Sequence, residues 1–139
     1  MLNEKLALEA NERFYKAFNE QNLELMKEVW HDDLSILCIH PGWHAIHGFE
    51  PVIQSWKDIF ENTQDDLEIR LDNVEIIASM DLAWVSCEEK LFSFTMSGVK
   101  TSNVQATNVF RLVEGGWKMA LHHASAVPHP SEEEEPSLN

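Results

Sequence analysis

The chain has 139 residues, 44% of them hydrophobic, and sets 24 acidic side chains against 10 basic ones for a formal charge of -14. That length and composition describe one compact domain, able to bury roughly 70% of its unfolded surface without disulfides or a structural metal. The acid excess, with no Lys/Arg stripe to offset it, argues against nucleic acid and anionic membranes as partners.

The opening MLNEKLALEANERF mixes acids into its apolar positions and lacks the basic start and apolar core of a secretory signal. From Asn3 to about Gln21, Leu6, Ala10, Phe14 and Ala17 recur at helical spacing, widened by Tyr15 and Phe18, which predicts an amphipathic helix. Asn22 is placed to cap a shorter helix carrying Leu23, Met26, Val29 and Trp30. Ser35 to His40 suits a strand halted by Pro41-Gly42, and a brief extended piece from Ala45 to His47 leads to Gly48. Pro51 fits the first turn of a third helix that presents Val52, Trp56, Ile59 and Phe60 on one face.

Beyond Asn62 the period shortens. Strands are predicted over 67–78, 83–96, 100–113 and 117–127, separated by turns at Met80-Asp81, Ser97-Gly98 and Gly115-Gly116. In the first of them, Leu67, Ile69 and Leu71 are followed by Val74 and Ile76 on the opposite parity, which predicts a bulge near Asp72-Asn73. Three helices followed by a meander imply an α+β domain with a curved antiparallel sheet wrapped around the helices. No stretch approaches the ~20 apolar residues of a membrane span, and a cytoplasmic location is expected. The domain is expected over 1–127. Residues 128–139, with the run Glu132 to Glu135, read as an acidic, disordered tail. Setting those four acids aside leaves 20 against 10 bases, so the folded part is acidic in its own right.

Hairpin geometry assigns faces to the last strands. If Gly115-Gly116 is a two-residue turn, Asn108, Phe110 and Leu112 share a face with Met119, Leu121 and His123, while Arg111, Lys118 and His122 take the other; whether His122 or His123 faces the pocket stays open. A similar turn at Ser97-Gly98 adds Cys87 and Glu89 to the Asn108 face. Its apolar content marks that face as the concave lining of a pocket. Glu89, Asn108 and His123 are then the few orienting groups of a small-molecule site. His123 and Glu89 are candidate catalytic residues, a base and its orienting partner, with Asn108 or Tyr15 hydrogen-bonding a developing oxyanion. The alternative is structural: His123 satisfies a buried polar group and Glu89 reaches solvent at the pocket mouth.

His40, His44 and His47 form a small cluster, and imidazoles suit zinc, copper or iron. They straddle Pro41-Gly42 with no His-Glu-x-x-His motif or paired cysteines beside them, so neither a metal nor a cofactor is expected. Cys38 and Cys87 form no disulfide framework and read as inert buried thiols. Trp43 is expected to be exposed, as a lid over the pocket, while Trp30, Trp56, Trp84 and Trp117 read as core or interface residues.

The run from Thr107 to Ser125, TNVFRLVEGGWKMALHHAS, combines a hairpin turn, Trp117, apolar residues, the paired His122-His123 and a serine. With Phe14 to Gln21, Ile46-His47-Gly48 and Trp56, it resembles the nuclear transport factor 2-like superfamily. Nearest within it are the SnoaL-like domains and the association (hub) domain of calcium/calmodulin-dependent protein kinase type II. The resemblance implies a cone of curved sheet closed by three N-terminal helices around a pocket. It also implies a homodimer or higher ring formed through the convex face of the sheet. The superfamily includes isomerases, cyclases, lyases, hydrolases and non-catalytic binders. Asn108 falls where kinase hubs carry a pocket arginine, and Glu89 near another, with Glu88 as its alternative. A carboxylate in place of arginine argues against anionic ligands. Steroid isomerases of the superfamily use a tyrosine on the helix corresponding to that of Tyr15, but their partner carboxylates are not evident, and His40-Pro-Gly-Trp stands near the position of their base.

The function expected is that of a free-standing SnoaL-like domain. It would bind a small uncharged or weakly cationic organic molecule through Tyr15, Trp43, Cys87, Asn108, Phe110 and Leu121. Two alternatives stand beside it. One is an isomerase, lyase or hydrolase of the ketosteroid-isomerase-like kind using the His123/Glu89 pair. The other is an oligomerisation scaffold whose convex face carries Val109, Arg111, Val113, Lys118 and Ala120.

Overall fold

A computed structural model describes residues 2–128. Helices α1 (Leu2–Glu20) and α2 (Leu23–Val29) are followed by short strands β1 (Leu37–Ile39) and β2 (Ile46–His47) and helix α3 (Phe49–Asn62). Long strands β3 (Asp66–Ala78), β4 (Leu82–Thr95), β5 (Gly98–Val113) and β6 (Gly116–Val127) complete the chain. They form one curved sheet in the order β2-β1-β6-β5-β4-β3, with β1 parallel to β6 and the other pairs antiparallel. The sheet is not closed, since β2 and β3 are its free edges. Residues 129–139, on which the expected tail falls apart from Pro128, lie outside the described residues. Among the described residues no helix is long and apolar enough to cross a membrane.

The helices form where their caps and apolar stripes require. The Asn22 carboxamide accepts from Leu25 N at 3.0 Å, satisfying one orphan donor at the start of α2. Ala7, Ala10 and Ala17 bring the backbone of α1 close to its neighbours, and Phe14 and Tyr15 fill the remaining depth. Asn19 works as a strand partner: its amide donates to Ile69 O at 3.1 Å and accepts from Ile69 N at 2.8 Å, fastening α1 to β3. Gly48 opens α3 at φ 91, a left-handed conformation that side-chain-bearing residues adopt only under strain. The core lies between α1, α3 and the concave face. Phe14 sits edge-on to Tyr15, Trp56 and Trp30 at centroid distances of 4.8, 5.5 and 6.4 Å.

Two bulges shape the sheet. The expected one lies between Asp72 and Glu75, where Asn73 adopts φ 50. The second was not anticipated. The β5–β6 turn is Glu114-Gly115, with Val113 opposite Gly116, and the ladder runs regularly to Phe110 opposite Met119. The next pair is Val109 with Leu121, which leaves Ala120 as the extra residue. Outside β5, Met119 is held by a bridge to Trp30 and by the His31 amide, which donates to Met119 O at 3.0 Å. Beyond Ala120 the side chains of β6 change face relative to β5.

Candidate functional site

A cavity of about 260 Å³ opens between α1, α3 and the concave face, beneath the loop that joins β1 to β2. Phe14 and Phe18 come from α1, Trp56 and Ile59 from α3, and Leu91 and Val104 from the sheet. Trp43 stands at its mouth, 47% exposed. Three polar side chains reach these walls: His40 from the end of β1, Glu89 from β4 and His122 from β6. Each is buried, at 3, 5 and 3% exposure.

The bulge at Ala120 decides which histidine this is. Asn108 pairs with His122 rather than with His123, so His122 turns inward and His123 is exposed on the convex side. The expected catalytic role of His123 is thereby withdrawn. Leu121 is corrected for the same reason, because it opposes Val109 and leaves the cavity. Glu89 and Cys87 do share the Asn108 face, through the pairs Glu89–Val104, Cys87–Ala106 and Val85–Asn108. The actual turn, Met96-Ser97, is displaced without a change of parity.

Beneath the cavity floor lies a continuous polar chain. His122 Nδ1 meets Asn108 Oδ1 at 2.6 Å, and Asn108 Nδ2 donates to Asn11 Oδ1 at 2.8 Å and to the Tyr15 hydroxyl at 3.0 Å. Tyr15 donates to Glu89 Oε2 at 2.6 Å and lies 3.5 Å from Cys87 Sγ. Tyr15, Asn108 and Cys87 therefore support the wall instead of lining it, and Phe110, fully buried, packs in the core. The Tyr15 proton is committed to Glu89 and the Asn108 amide to Asn11 and Tyr15, so neither is free to stabilise an oxyanion. The hydroxyl of Tyr15 is buried.

Burial sets the electrostatics. It raises the Glu89 carboxyl to about 7, partly opposed by the Tyr15 hydrogen bond. Burial lowers His122 to about 3, reinforced by the charges of His40 and His123, and lowers His40 to about 4. Both imidazoles are thus neutral at pH 7. Burial first, and then Glu89, holds Tyr15 well above its ordinary value, while burial alone is the main cause that keeps the Cys38 and Cys87 thiols protonated.

The histidine cluster does not converge. His40 packs edge-on to Trp56 and Trp43, at 4.6 and 4.7 Å, and contacts Ser55, whereas His44 and His47 are exposed. Among the described residues no group of three or more His, Cys, Asp or Glu side chains is disposed to hold a metal. The sequence left open whether His122 or His123 faces the pocket and related His40 to the site only through the resemblance to steroid isomerases; the structure brings both His40 and His122 to the cavity. The uninterrupted run Met119-Ala120-Leu121 was the available signal for the second, since regular alternation would have broken it with a polar residue.

A curved open sheet cupping three helices around such a cavity defines the nuclear transport factor 2-like class of α+β domain. Within that class the chain belongs to the SnoaL-like domain family, whose profile matches residues 7–130. A candidate dehydratase of the nuclear transport factor 2-like family from Streptomyces avermitilis is 31% identical, with a TM-score of 0.83 over 92% of this chain and 98% of that one. A candidate calcium/calmodulin-dependent protein kinase type II association domain from Thiobacillus denitrificans is 30% identical, with a TM-score of 0.73 over 86% and 93% of the two chains. The calcium/calmodulin-dependent kinase II hub of S. rosetta, at 20% identity and a TM-score of 0.76 over 89% and 96%, shares the fold. Among curated proteins, F-box protein SKIP8 of Arabidopsis thaliana is 28% identical over 120 residues, 86% of this chain and 49% of that protein. The chain spans about half the length of that relative.

Proposed function

We propose that this SnoaL-like domain binds a small, largely apolar and uncharged organic molecule in the cavity beneath Trp43. The carrying observation is the composition of the wall. Apolar and aromatic side chains enclose three polar groups, no Lys or Arg is among the lining residues, and Glu89 adds negative charge as it ionises. An anion placed there would lose its hydration and gain no cationic partner. The test is the quenching of Trp43 and Trp56 fluorescence by cyclohexanol and by cyclohexanecarboxylate. Cyclohexanol is expected to bind and the carboxylate to be rejected; equal or tighter binding of the carboxylate overturns the reading.

A second reading, proton-transfer catalysis, is favoured by one observation, a carboxyl poised at about 7 in an apolar cavity. The roles differ from those the sequence suggests. His122, held neutral down to about 3, is a weak base, so Glu89 is the better proton acceptor. In a lyase, the Glu89 carboxylate would take a proton from carbon. The C–H electrons would form the double bond as the C–O bond breaks, and the protonated Glu89 would return its proton to the departing hydroxide as water. The 31% identity to a candidate dehydratase supports this reaction class. Turnover should rise along a limb near pH 7 that vanishes in Glu89→Gln and survives His123→Ala. A limb unchanged in Glu89→Gln refutes it.

The hub-like relatives also support self-association. Ile77, Trp84, Val109 and Leu121 stand in register across β3, β4, β5 and β6 on the convex face, with Ile77 and Trp84 at 56 and 45% exposure. An apolar stripe of that kind is suited to a second copy of the chain.

A further inference from the structure

The protons of the two cavity imidazoles are fixed by the groups behind them. Ser55 Oγ donates to the Val52 carbonyl at 2.6 Å, so toward His40 Nε2, 2.9 Å away, it can only accept. His40 therefore carries its proton on Nε2 and keeps a lone pair on Nδ1. Asn108 directs its amide to Asn11 and Tyr15, so Oδ1 accepts the proton of His122 Nδ1, and His122 Nε2 keeps a lone pair. Glu89 Oε2 is occupied by Tyr15, which leaves Oε1. Among the described residues none of these three atoms, His40 Nδ1, His122 Nε2 and Glu89 Oε1, has a hydrogen-bond partner, and all three side chains line the cavity. No hydroxyl, amide, ammonium or guanidinium side chain lines it with them, the Trp56 indole N–H is sealed off by burial, and the remaining lining donor, the indole of Trp43, stands half-exposed at the mouth.

We infer that the cavity selects its ligand by hydrogen-bond donors: it takes a neutral, apolar-bodied molecule carrying two or more hydroxyl groups, and rejects one whose polar groups are carbonyls or ethers. This rests on the cavity reading above and adds to it the polarity of the ligand's groups. A buried carbonyl oxygen facing an imidazole lone pair leaves both unsatisfied, and a site built for donors discriminates strongly against such an analogue.

The experiment compares cyclohexane-1,4-diol with cyclohexane-1,4-dione, which share a ring and substitution pattern and differ in donors. Cyclohexane itself reports on the cavity. Binding is followed by tryptophan fluorescence at roughly pH 8, where the Glu89 carboxyl is largely ionised and accepts only. The diol is expected to bind tighter than the dione by about tenfold or more. His40→Phe, which removes one acceptor without disturbing Asn108, should reduce that ratio severalfold. If that variant does not fold, Ser55→Ala frees the His40 tautomer and should reduce the ratio likewise. A dione that binds as tightly as the diol while cyclohexane also binds overturns the inference and leaves the cavity reading standing. Failure of all three compounds to bind removes the cavity reading, and the inference with it.

Discussion

Replacing Glu89 by Gln keeps the volume and the acceptor for Tyr15 while removing the ionisation. The wild-type carboxyl has its folded-state value raised from 4.5 to about 7, so between those values the folded protein binds more protons than the unfolded chain. Stability is therefore fully present below about pH 4.5 and falls as the pH rises through about 7. The size of the loss follows from the width of that window and comes to about 3 kcal/mol. For a domain of this length it corresponds to roughly 10 °C in Tm. The histidines titrate in both proteins and cancel in the comparison. Thermal unfolding followed by circular dichroism across the window should show Glu89→Gln close to wild type at the acid end and about 10 °C more stable at the alkaline end. A Tm difference that stays constant with pH would refute the claim that Glu89 is held in a desolvated site.

His122 and His40 titrate with the opposite sign, because their folded values are lowered to about 3 and about 4. Their contribution is complete above about pH 6.5 and is lost as the pH falls, so His122→Asn should flatten the acid limb of the unfolding profile; an unmoved acid midpoint contradicts this. Asn108→Ala orphans the His122 Nδ1–H and an Asn11 oxygen and should cost about 2–4 kcal/mol, read as a lower urea midpoint at unchanged m-value. On the proposed self-association through the convex stripe, Trp84→Arg places a charge there and should lower the sedimentation mass from that of an oligomer to that of a monomer, while cyclohexanol binding is retained; a chain that sediments as a monomer without the substitution, or as an oligomer unaltered by it, refutes that proposal.

The order of elements was legible because its signals are local. The Asn22 cap, Pro51 in the first turn of α3, the parity change at Asp72-Asn73 and the turn residues of the meander each report on a few neighbouring residues. The faces of β4 and β5 were legible too, because a turn displaced by an even step in register leaves parity intact. The face of His122 was not. Its orientation depends on one unpaired residue, Ala120, whose position is held by Trp30 and His31 at the end of α2, about ninety residues upstream. No counting along the hairpin includes that contact. His40 escaped for a related reason. Its sequence neighbours His44 and His47 suggest a shared ligand, whereas its actual partner, Ser55, is on α3.

What makes the three buried polar groups of the cavity acceptors is then a property of the buried chain rather than of the lining residues alone. An ionised Glu89 has no proton to give, so Tyr15 must donate to it. Having spent its proton, Tyr15 accepts from the Asn108 amide, and Asn108 is left with its oxygen toward His122. Each step permits one assignment, and the last leaves the lone pair of His122 Nε2 toward the cavity. The same chain explains how the fold tolerates a carboxylate in an apolar site. Tyr15 offsets part of the desolvation that raises Glu89, at the cost of having its own ionisation suppressed. The charge of Glu89 is felt by three buried groups, raising the pKa of Tyr15, Cys38 and Cys87. The overall charge of the chain, by contrast, bears on solubility and on which partners it repels.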